Sequence, residues 1–85
     1  MNNKEKTVSI EKLLKEKLAP SQLNIIDDSA KHIGHAGEGK GHFTVEIASN
    51  QFENKSLIQC HRLVYQALDS MMEKHIHALC IRVLE

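Results

Sequence analysis

Eighty-five residues suffice for one hydrophobic core and are too few for a deep catalytic cleft, so residues 1–85 are expected to form a single domain. Eleven Lys and Arg balance eleven Asp and Glu, which excludes a global field drawing the chain to nucleic acid or to an anionic membrane. A composition of 41% hydrophobic and 26% charged residues excludes a disordered chain.

Along the chain, the first seven residues are polar and are expected to fray. From Ser9 as N-cap, Ile10, Leu13, Leu14 and Leu18 recur at helical spacing, Glu11 lies in the first turn and Pro20 follows the end. This predicts a short amphipathic helix. Leu23-Asn24-Ile25-Ile26 suits a first strand, and His42 to Ile47 alternates with Phe43, Val45 and Ile47 on one face, so the two are expected to pair antiparallel. Between them the segment 27–41 is longer than a hairpin needs and holds all four glycines together with His32 and His35. Loops of this kind more often carry function than decorate a fold.

Ser49-Asn50-Gln51 signals a turn, and Phe52 is expected to return to the core. Ser56 with Gln59 forms a capping box that opens a long helix, whose stripe is Leu57, Cys60, Val64, Ala67, Leu68 and Met71, widened by Leu63. The last segment, His77 to Val83, alternates again and aligns Leu79, Ile81 and Val83. The order helix, strand, strand, helix, strand predicts an α+β sandwich, with two helices covering one face of a three-stranded sheet.

Several apparent motifs fail on context. Gly34 to Gly41 fits Gly-x-x-x-x-Gly-Lys but puts glycine where a phosphate-binding loop needs Ser or Thr, and a strand follows instead of a helix. Gly34-x-x-Gly37 matches the GXXG of KH modules, yet it lies between strands with only Lys31 and Lys40 as nearby cations. Cys60 and His61, consecutive on a helix, diverge by about 100° and lack a third orienting group, so a packed thiol beside a surface histidine is expected. Cys60 and Cys80 are too few for a disulfide framework and are expected to be buried thiols. No apolar stretch has transmembrane length, and Met1-Asn2-Asn3-Lys4-Glu5-Lys6 lacks the apolar core of a signal peptide. A cytoplasmic protein is expected.

The histidines carry the remaining chemistry. A glycine-rich loop bearing His32 and His35, together with His77 opening the last strand, offers imidazoles for an incomplete metal site completed by a partner. On pattern alone, His77 shares the parity of Leu79, Ile81 and Val83 and is as well explained as a rim histidine. By themselves His32 and His35 suit solvated loop residues. His42 lies opposite the core face and is expected to be exposed, and His75 follows Lys74 at a helix end, where a cation favours the dipole.

Asp28-Ser29, His32, Gly41-His42-Phe43, His61-Arg62-Leu63-Val64-Tyr65 and Ile76-His77-Ala78-Leu79 together resemble BolA-like proteins over nearly the whole chain after its first few residues. The resemblance implies a class II KH-like fold with the element order just given. It also implies pairing with a monothiol glutaredoxin around a shared [2Fe–2S] cluster, with His77 as the C-terminal ligand and His32 as the loop ligand, His35 being close enough to substitute. Two imidazoles without thiolates are a poor home for such a cluster, so no cofactor is expected in the isolated chain. A glutaredoxin cysteine and a glutathione thiolate would hold the other iron. Some bacterial members of the family are described as DNA-binding transcriptional regulators that affect cell shape and stress responses. On that alternative, the helix from Ser56 would act, with Lys55, His61 and Arg62 as backbone contacts. Cys60 stands where many relatives carry arginine, which weakens the DNA case more than the cluster case. No constellation in the chain supports catalysis, so a non-enzyme is expected.

Overall fold

The computed structural model describes residues 2–28 and 41–84, with the backbone alone at Asn3 and His77. Its first helix, α1 (Asn3–Leu18), begins well before Ser9. Asn2 caps it, the side chain accepting from Glu5 N–H at 2.8 Å while its amide donates to the Glu5 carboxylate. The expectation of a frayed start is therefore corrected: Asn-x-x-Glu caps a helix whose first turns carry little apolar periodicity. The buried stripe runs Lys6, Ile10, Leu14, Leu18, one residue per turn. Ala19 closes the helix in the left-handed region at φ 43°. The end is also held from afar, because Ser49 Oγ donates to Leu18 O and Gln51 Nε2 donates to Lys17 O. Both bonds satisfy carbonyls that a helix terminus leaves unpaired.

Strand β1 (Gln22–Asp27) pairs antiparallel with β2 (Gly41–Ala48), as the alternation predicts. A 3₁₀ turn at Asn50–Phe52 seats Phe52 in the core, and helix α2 (Leu57–Ala67) follows. The capping box is present in full: Gln59 N–H donates to Ser56 Oγ at 3.2 Å, and Ser56 N–H donates to Gln59 Oε1 at 2.9 Å. The expected long helix is broken at Leu68 (φ −103°, ψ 10°), and a single turn, α3 (Asp69–Met72), continues from it. Asp69 and Ser70 are poor helix-interior residues because their side chains compete for backbone partners. The break keeps both Leu68 and Met71 buried.

Strand β3 (Ile76–Val83) returns parallel to β2, giving the order β1-β2-β3. Phe43, Val45 and Ile47 of central β2 pack under Ile10, Leu14, Val64 and Leu68, all at or near zero exposure. Leu23, Ile25, Leu79 and Val83 flank them. The helices thus cover one face of the sheet. The other face carries Asn24, Glu46 and Arg82 in one row, where Asn24 Nδ2 donates to Glu46 Oε1 and Arg82 pairs with the same carboxylate. Cys80 lies on this second face and is exposed, correcting the expectation of two buried thiols, whereas Cys60 is buried.

Candidate functional site

The site is built where the histidine-bearing segment meets the sheet. That segment leaves β1 at Asp28, whose N–H donates to His42 O at 2.7 Å, and it re-enters at Gly41, whose N–H donates to His75 O at 3.0 Å. Both anchors lie at one end of the sheet, where β3 begins. Thr44 Oγ1 further fastens the exit by donating to Asp28 Oδ2 at 2.5 Å.

At this same margin the ladder between β2 and β3 is irregular. Gly41 pairs with Ile76, but the next residue, His42, pairs with Ala78, so His77 is the extra residue of a β-bulge. The hydrogen bonds agree. His75 O faces β2, whereas further along Leu84 N–H donates to Ile47 O, so the even-numbered residues of β3 bond inward and the odd ones turn outward. The phase changes across residues 76 and 77. Parity with Leu79, Ile81 and Val83 therefore does not place His77, because Ile76 takes the core position beside Gly41 and is 2% exposed. Beyond the bulge, Tyr65 Oη makes a long contact of 3.5 Å to the outward Leu79 O, tying α2 to the strand two residues past His77.

Gly41 itself is buried. A Cβ built on it would collide with Phe43 Cε2 and Cζ, so the phenyl ring occupies the space a side chain would need.

His32 and His35 lie outside the described residues, so the structure brings His77 together with the ends of their segment only. Among the described residues, no group of three or more His, Cys, Asp or Glu could hold a metal ion. His42 is half-buried with Nε2 shielded from solvent, which corrects the expectation that it is exposed. It belongs to central β2, crowded from both sides.

The residues of the nucleic-acid alternative fare unequally. Lys55 and Arg62 are exposed, but His61 is half-buried, and its Nε2 is buried without a hydrogen-bond partner among the described residues. It is neither a surface histidine nor able to offer that nitrogen to a phosphate. Leu57 and Ile58, exposed by 61% and 65%, flank the two cations. A cavity of about 510 Å³ lined by Ser49, Phe52, Lys55, Leu57, Cys60 and Leu84 lies at the opposite end of the sheet from His77. No helix among the described residues is long and apolar enough to cross a membrane.

A parallel β2-α2-β3 unit with one added antiparallel strand, helices on one face and a bulged histidine at the sheet margin defines a small α+β domain. The BolA-like protein family model matches residues 14–85, and the chain belongs to that family. The solved BolA domain of SufE1 from Arabidopsis thaliana superposes with a TM-score of 0.83 at 34% identity, covering 98% of this chain and 92% of that one. The full SufE-like protein 1 is longer, and this chain spans 21% of it. Protein BOLA1, chloroplastic, from the same plant is 45% identical over 76 residues, 84% of this chain and 47% of that protein. A DNA-binding transcriptional regulator BolA from Vibrio cholerae is 38% identical over 72 residues, 85% of this chain and 67% of that protein.

Proposed function

We propose that this chain is a non-enzymatic partner of a monothiol glutaredoxin, contributing imidazoles to a bridging [2Fe–2S] cluster in iron–sulfur trafficking or iron and stress regulation. The observation that carries the reading is topological: both ends of the segment bearing His32 and His35 anchor at the margin where the bulge inserts His77. His77 and one of the two loop histidines would hold one iron, and thiolates of glutaredoxin and glutathione would hold the other. The cluster supplies electron-transfer or transferable iron–sulfur chemistry when bound. This chain's part is to present one neutral nitrogen donor from strand β3 and one from the segment that bears His32 and His35, and to leave the set incomplete until the partner docks.

Anaerobic mixing with a cluster-loaded monothiol glutaredoxin and glutathione tests the reading through visible absorption and circular dichroism. The wild type should change the cluster spectrum and His77→Ala should abolish the change. A spectrum untouched by the wild type would remove the metal reading.

The second reading, a DNA-binding regulator acting through the helix from Ser56, draws support from the Vibrio relative's name. Exposed Lys55 and Arg62 are its candidate contacts, but the zero net charge and the exposed Leu57 and Ile58 beside them suit a protein surface better than a phosphate backbone. DNA affinity that falls steeply with salt, and less steeply in Arg62→Ala, would put this reading first.

A further inference from the structure

We infer that Gly41 is a positioning residue for His77, acting through the Phe43 ring that lies over it to set the β-bulge. The inference rests on the ligand reading of His77 only for its functional consequence, since its structural content concerns the strand itself. Three contacts converge there. Gly41 pairs with Ile76 immediately before the inserted residue, its N–H holds His75 O, and the phenyl ring fills the site of the missing Cβ. Phe43 is 2% exposed and Ile76 likewise, so neither can give way into solvent. A glycine within a strand marks a bulge or a close approach, and here it marks both. The ring is therefore held over Gly41 where β2 pairs with Ile76, and the extra residue is taken up on β3, at His77. With any side chain at position 41 the ring must swing away. The Gly41–Ile76 pairing would then change, and the register step beyond it would move off His77.

Gly41→Ala is the test, and its partner is Gly41→Ala/Phe43→Val, which deletes Cδ2, Cε2 and Cζ so that the new methyl takes the vacated space. Leu14→Ala, a core change on α1, controls for destabilisation alone. The first readout is the backbone amide signals of His77 and Ala78 in the isolated protein. The second is the visible circular dichroism of the mixture with cluster-loaded glutaredoxin. Gly41→Ala should shift both amides well beyond the control and cut cluster sharing at least tenfold, and the double variant should restore both. Amides that move no more than in Leu14→Ala, or a double variant that restores neither readout, would overturn the inference. If Gly41→Ala does not fold, Phe43→Val alone removes the same contact from the other side and must move the same two amides, and unmoved amides there overturn it equally. If the wild type itself leaves the glutaredoxin spectrum unchanged, the cluster reading fails while the amide signals still decide the role of Gly41.

Discussion

Replacing Ser56 with alanine removes one half of a reciprocal pair at the start of α2, and the structure sets the size of the effect. Ser56 Oγ accepts from Gln59 N–H at 3.2 Å, and Gln59 Oε1 accepts from Ser56 N–H at 2.9 Å, both at exposed positions. Water can replace either partner, so the loss should sit near the centre of the N-cap range, about 1 kcal/mol, and not at its upper end. Gln59→Ala loses the second bond but gains helix propensity, leaving a net cost of roughly 0.5 kcal/mol or less. Because α2 is the crossover between β2 and β3, the loss should be felt by the whole domain in one cooperative transition. At this size about 1 kcal/mol corresponds to a fall of roughly 4–8 °C in the melting midpoint, and urea unfolding should show an unchanged slope. Ser56→Asp, which also caps, should retain nearly full stability. The reasoning is refuted if Ser56→Ala costs less than about 0.3 kcal/mol, or if aspartate loses as much as alanine.

Leu14→Ala leaves a cavity beneath Ile10 and Leu18 at a site with no exposure, and should cost about 2–5 kcal/mol, a large part of a small domain's stability, as measured by urea titration. Thiol labelling of the native protein should modify Cys80 promptly and Cys60 only after unfolding; two fast equivalents would contradict the burial of Cys60. Cluster sharing with glutaredoxin should weaken on acidification, since a ligating imidazole must be neutral and protons compete below an ordinary histidine pKa of about 6.5. With two imidazole ligands the decline approaches about a hundredfold per pH unit once both protonate, so cluster absorbance that persists at pH 5 would exclude them.

What the sequence determined by itself is everything set by local period and local chemistry. The strict alternation of Phe43, Val45 and Ile47 names the buried face of β2, the spacing of Ile10, Leu14 and Leu18 names that of α1, and Ser56 with Gln59 names the start of α2. The same alternation already puts Cys80 opposite Leu79 and Ile81, so its exposure was legible once a single helix layer was assumed. The Asn2 cap was legible too, in Asn-x-x-Glu, but the polar residues after it hid the helix that follows. The tertiary structure alone decided the rest. The break at Leu68 keeps two side chains in one core, the half-burial of His61 depends on what surrounds α2, and Ser49 and Gln51 reach Leu18 and Lys17 across more than thirty residues of chain. The bulge at His77 belongs to this second group. A period-2 pattern assumes an unbroken register, and register is a property of two strands together: it took the Phe43 ring over Gly41, and Ile76 seated beside them, to put the extra residue at a histidine.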